Sequence, residues 1–173
     1  MAEAGYKYLK TYQLATVIYD LTVEFCERLL PGFDYRRTKE QMIQSARSGK
    51  QNITEGSRLK SLKGYIKLLG VSEGSFKELL EDYQDFLRQR GLPLWDKNDP
   101  RVRKIRSIRV IDKPDLPDKP EEAANLLITL INQETFLVDK QIESLEEKFV
   151  AEGGYTEKLF RRRSKVRSKM QRV

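Results

Sequence analysis

Four long stretches of this chain place apolar residues three and four positions apart, and no stretch alternates apolar with polar. A period near 3.6 gathers those residues on one face of a helix, and that face has to be buried against another element. The first stretch, from about 7 to 30, carries Leu14, Val17, Ile18, Leu21, Phe25 and Leu29 and is stopped by Pro31-Gly32. The second opens at Thr38-Lys39-Glu40-Gln41, a capping-box pattern in which Thr38 caps the helix and Gln41 reaches back. It continues through Met42, Ala46, Gly49 and Ile53 and ends between Gly56 and Leu59. The third follows Ser61 and runs to about 90 with Tyr65, Leu68, Leu69, Phe76, Leu79, Leu80, Tyr83, Phe86 and Leu87, closed by Gly91. The fourth follows Pro120, with Glu121 and Glu122 in its first turn. Its face reads Ala124, Leu127, Ile128, Ile131, Phe136, Leu137, Ile142, Leu145 and Phe149, up to Gly153-Gly154.

Between the third and fourth stretches lies an insertion, 91–119. Its centre reads DPRVRKIRSIR: Asp99 as cap, Pro100 at the first helical position, then Val102, Ile105 and Ile108 three apart. A short helix follows, with those three inward and Arg103, Arg106 and Arg109 outward. Three prolines between 112 and 120 make an extended return. The expected fold is all-α: an up-down antiparallel four-helix bundle over 1–152, carrying the inserted helix, and a basic C-terminal extension over 153–173.

That extension holds the charge. Residues 157–173 contain eight of the 33 Lys and Arg (Lys158, Arg161, Arg162, Arg163, Lys165, Arg167, Lys169 and Arg172) and one of the 26 acids, Glu157. The rest of the chain is balanced, so the entire net charge of +7 belongs to the tail. Such an arm suits polyanions. If it is helical, Thr156 caps it and Leu159, Val166 and Met170 share one face, with Phe160 adjacent.

The chain has no histidine. That excludes Ser-His-Asp and Cys-His nucleophilic sites and HExxH zinc sites. A carboxylate-metal site in a bundle core also needs Glu-x-x-His elements that this sequence lacks. No cofactor, no metal site and no catalytic residue is expected. The lone cysteine, Cys26, sits in an apolar-periodic stretch and reads as a buried, inert thiol. With no membrane-length apolar run and no secretory signal pattern, a cytoplasmic protein is expected.

Residues 48–58, SGKQNITEGSR, imitate other chemistry. A phosphate loop needs glycine at position 44, where glutamine stands, and Ser or Thr after Gly49-Lys50, where Gln51 stands. The Asn52-Ile53-Thr54 sequon has no meaning without secretion. The unusual feature is glycine inside helices: Gly49 and Gly56 on the second, Gly64, Gly70 and Gly74 on the third. Each costs about 1 kcal/mol against alanine, and close approach between helices is the ordinary compensation. Gly49, Asn52, Glu55, Gly56, Gly74 and Ser75 are therefore read as helix-packing or subunit-contact residues. Asn52 and Glu55 form a polar pair, three apart, that fixes register or joins subunits.

Over QMIQSARSGKQNITEGSRLKSLKGYIKLLGVSEGSFKELLEDYQDFL the sequence resembles a bacterial four-helix-bundle family. That family includes proteins encoded in intervening sequences of large-subunit ribosomal RNA genes and the accessory variability proteins of diversity-generating retroelements. The matching elements are Ala46, Asn52-Ile53-x-Glu55-Gly56, Ser61, and Gly74-Ser75 followed by Glu78-Leu79. The resemblance covers about 10–90 and returns over 121–149. It implies a non-enzymatic, ring-like homo-oligomer, a pentamer in typical members, and for the retroelement branch a positive surface that binds reverse transcriptase and nucleic acid. Gly64 stands where relatives often carry glutamate, and the insertion and tail make this the longer form with a suffix domain.

The function expected is thus a non-catalytic oligomeric accessory protein. It would bind RNA, DNA or a nucleoprotein partner such as a reverse transcriptase through Arg161, Arg162, Arg163, Lys165, Arg167 and Lys169. Arg103, Arg106 and Arg109 would form a second row. The alternative is a protein–protein adaptor whose anchors are Leu159, Phe160, Val166 and Met170.

Overall fold

The computed structural model describes residues 5–109 and 112–170. All their regular structure is helical: α1 Lys10–Leu29, α2 Arg36–Arg58, α3 Leu62–Gln89, α4 Pro100–Arg106, α5 Pro120–Glu152 and α6 Tyr155–Met170. Two 3₁₀ turns, Gly5–Tyr8 and Phe33–Tyr35, precede α1 and α2.

The helix starts follow local chemistry. Ser61 accepts the Gly64 N–H at 3.2 Å and opens α3, and Asp99 accepts the Arg101 N–H at 2.8 Å and opens α4. α3 ends where Gly91 turns to φ +63°, letting the Leu92 N–H reach the Leu87 carbonyl at 2.9 Å. The expected capping box at Thr38 is not formed. α2 begins two residues earlier, because the 3₁₀ turn runs straight into it and the Phe33 carbonyl takes the Arg36 N–H. Thr38 is thereby inside the helix. α1 likewise begins at Lys10 rather than near 7, the preceding residues being held in their own turn.

Helices α1, α2, α3 and α5 pack side by side around one core, in the pairs α1–α2, α2–α3, α3–α5 and α1–α5. Tyr6 and Tyr19 meet Arg58 and Lys50, Ser48 meets Ser75, and Gly56 faces Tyr65. Partner numbers fall as the other rises, so α1, α2 and α3 run successively antiparallel. Gln141 closes the ring of four by bonding Thr11 on α1, at 2.8 Å, and the Tyr65 hydroxyl on α3. At the centre, buried Tyr83 donates to Thr22 at 2.9 Å, and the Phe25 ring meets Tyr83 and Phe86 edge-on at 4.9 and 4.8 Å.

The insertion is tied to the start of α5. Asn125 donates to the Pro93 carbonyl at 3.0 Å and accepts the Trp95 N–H at 2.9 Å, while the Trp95 indole donates to Glu121 at 2.7 Å. The Arg101 guanidinium lies 3.8 Å from the Trp95 ring centre. α4 packs on α5 through buried Val102 and half-buried Ile105. Among the described residues no helix is long and apolar enough to cross a membrane.

Candidate nucleic-acid interface

α6 stands apart from the core. Every residue from Tyr155 to Met170 is exposed. The junction is built from Gly153, at φ +77°, and Gly154, whose missing side chain leaves room for the Phe149 ring, 2.9 Å from where a Cβ would sit. The Glu157 carboxylate accepts the Gly154 N–H at 2.8 Å, and Lys158 pairs with Glu152 at 2.9 Å. The helix thus starts at Tyr155, and the cap expected of Thr156 is supplied instead by Glu157 reaching back.

Arg161, Arg162, Arg163, Lys165, Arg167 and Lys169 are all exposed on this helix, and among the described residues none pairs with a carboxylate. Arg172, which belongs to the same cluster in sequence, lies outside the described residues. Arg161 and Lys165, Arg163 and Arg167, and Lys165 and Lys169 each stand four apart, the spacing at which like charges repel across one turn. The repulsion is uncompensated by packing: Leu159, Phe160, Val166 and Met170 are 44, 71, 54 and 75% exposed. Arg167 and Lys169 do complement the carbonyl end of the helix.

The second row is not a row. Arg103 and Arg106 are exposed on α4, but that helix ends at Arg106, so Arg109 lies beyond it and approaches Asp112 at 4.0 Å. Arg106 donates to the Lys97 carbonyl at 3.5 Å, and its own carbonyl accepts from Gln133 at 3.4 Å. Gln133 is 19 residues before the end of α5, about 28 Å at helical rise. The α4 and α6 cations are therefore two separate features.

The glycine-rich stretch divides in two. A Cβ on Gly49 would stand 2.6–2.9 Å from the Phe76 ring, and one on Gly56 2.6 Å from Tyr65. The Ser72 hydroxyl also donates to the Gly49 carbonyl at 2.7 Å. At both positions α2 lies close against α3. Gly70 and Gly74 differ: both are exposed and nothing lies within 4 Å of a Cβ there. Close approach within the chain does not explain them, since they sit on the outer face of α3. Among the described residues Asn52 and Glu55 form no hydrogen bond with each other. Asn52 bonds back to Ser48, at 2.9 Å to its carbonyl and 3.2 Å to its hydroxyl, while Glu55 is exposed. Ser75 meets Ser48 at 3.0 Å across α2 and α3.

Cys26 is fully buried, and desolvation pushes its thiol up to about 12. Among the described residues no three Cys, Asp or Glu side chains converge on a common point. The notable carboxylate is one that the sequence reading passed over. Glu134 on α5 is fully buried, neither oxygen has a hydrogen-bond partner among the described residues, and burial drives its pKa well above the usual carboxylate range. Its place between Ile131 and Val138, three and four residues away on the buried stripe, was the available signal.

The class defined to this point is an all-helical scaffold from which a cationic helix projects. Comparison with protein-family models, curated proteins and solved structures finds no match.

Proposed function

We propose that this chain is a non-catalytic, self-associating accessory protein that engages nucleic acid, or a nucleoprotein partner such as a reverse transcriptase, through α6. One observation carries the reading: among the described residues, six cations without carboxylate partners stand on a helix with no buried residue. Such a helix gains stability from any polyanion that neutralises it, and phosphates do this without base recognition. The resemblance, carried by residues 41–87 and covering about 10–90 and 121–149, supports an up-down four-helix bundle and a ring-like, pentameric assembly of the cytoplasm. Several copies of α6 on one ring would add avidity without new contacts.

The test is retention of labelled duplex DNA and single-stranded RNA by the full chain and by a form lacking 155–173. The full chain binds with a log–log salt slope of about −5 to −7 if six to eight phosphates are engaged. The truncated form keeps its helicity and loses retention. Equal retention by both forms refutes the role of α6. The adaptor reading is favoured by the exposed Leu159, Phe160, Val166 and Met170; changing all four to serine without loss of nucleic-acid retention, but with loss of assembly, supports it.

A further inference from the structure

We infer that the apolar seam of α6 docks on the outward face of the last turns of α5 in a second copy of the chain. The inference rests on the self-association proposed above and engages Arg162, Arg163 and Arg167 of the six proposed phosphate contacts, leaving Arg161 and Lys165 on the opposite side for nucleic acid.

Leu159 and Val166 are seven apart and Met170 follows by four, so the three share one face. They form a shallow apolar groove edged by Arg162, Arg163 and Arg167. The last turns of α5 present the opposite signature. Glu143, Glu146 and Glu147 surround Val150, which is 84% exposed, and Ala151. Phe136, 59% exposed, stands seven residues before Glu143, which stands seven before Val150. Asp139 is exposed on the same face, and its single cation, Lys140, is already paired with Glu143 at 2.6 Å. Two faces that both repeat every seven residues pack along their length at a shallow angle. Here one is arginine-edged and the other carries Glu143 on its midline between Phe136 and Val150, with Glu146 and Glu147 beside it, so the charges that oppose each other are of opposite sign.

The occupant is another copy, because the chain's own α6 is held off this face. The Glu157–Gly154 bond and the Lys158–Glu152 pair fix the turn, and α6 then runs clear of α5. A lone 16-residue helix with repelling neighbours is marginal in water. Docking would bury its seam and neutralise the arginines beside it. Arg161 and Lys165 fall on the opposite side and stay available. Because the two faces differ, each copy would give one and receive one, a head-to-tail contact that closes into a ring or continues as a filament.

Sedimentation velocity of the full chain, in low salt and without nucleic acid, tests this. Glu143→Lys with Glu147→Lys is expected to weaken association by roughly tenfold or more through like-charge contact, and Arg162→Glu with Arg163→Glu to do the same. Mixing the two double variants restores the assembly, since each supplies the charge that the other now needs. Val166→Ser with Met170→Ser, which leaves every charge in place, also lowers the mass. Circular dichroism melts verify that each variant is folded. A wild-type chain that stays monomeric, a mass untouched by both reversals, or a mixture that fails to recover overturns the inference. Arg161→Ala with Lys165→Ala is read separately: it weakens nucleic-acid retention and leaves the mass unchanged, so the two readings fail independently.

Discussion

The buried carboxylate of Glu134 gives the sharpest stability prediction. It occupies a position on α5 that every neighbouring stripe residue fills with hydrocarbon, and no donor reaches either oxygen among the described residues. Burial raises its pKa in the folded chain well above the unfolded value of about 4.3. Between those two values the folded chain holds a proton that the unfolded chain has released. Stability therefore falls as pH rises, by about 1.4 kcal/mol per pH unit within that window, and is greatest below the unfolded value. Separately, even the neutral acid leaves buried polar atoms unbonded, at a cost of about 1–3 kcal/mol. Glu134→Met removes both burdens and fills similar space. It should stabilise the chain by about 1–3 kcal/mol near pH 5, and by more at pH 7. In a chain of this size each kcal/mol moves the melting midpoint by about 2–4 °C. Glu134→Gln removes the pH slope and retains the unbonded polar atoms. Urea denaturation of the three proteins at pH 5, 6 and 7 separates the two contributions, helped by the absence of histidine from the chain. Stability curves of wild type and Glu134→Gln that run parallel across that range would refute the protonation argument, and a destabilised Glu134→Met would refute the packing one.

The two kinds of helical glycine should answer oppositely to alanine. Gly49→Ala forces the Phe76 ring to move and should cost about 1–2 kcal/mol, the clash outweighing the gain in helix propensity, whereas Gly74→Ala meets open space and should gain about 0.5–1 kcal/mol; urea midpoints compare them. Asn125→Ala removes the side chain that holds Pro93 and Trp95, so the emission of Trp95, the one tryptophan, should shift to the red and stability should drop by about 1–3 kcal/mol. At concentrations where the chain is monomeric, removing 155–173 should leave the urea midpoint where it is, because α6 buries nothing in the core of its own chain.

Much of this architecture was legible because helical periodicity is strong where a helix is buried on one side. The Pro120 and Gly153 boundaries of α5 and the Asp99-Pro100 start of α4 are local signals, and the chain obeys them. Thr38 misled because a capping motif states a preference that a preceding 3₁₀ turn can satisfy by backbone alone. Gly74 is a different case. A sequence shows that a helix carries a glycine but not which way it points, and Gly49 and Gly74 point to opposite surroundings. Glu134 was hidden by its chemistry, since a carboxylate on an apolar stripe is read as a break in the pattern. The Asn125 clamp on Trp95 joins positions 30 residues apart and leaves no local trace. The cationic cluster itself was plain from composition, while its separation from the α4 arginines depends on where along α5 each element attaches.

The two-glycine junction before α6 has a mechanical meaning. The direction of the whole cationic helix is set at two glycines, by the Phe149 ring edge, the Glu157–Gly154 bond and the Lys158–Glu152 pair, with no broad surface to correct an error. An alanine at Gly154 would swing seven positive charges through space while leaving every one of them intact, so the geometry of the arm is inherited from a hinge smaller than any contact it makes.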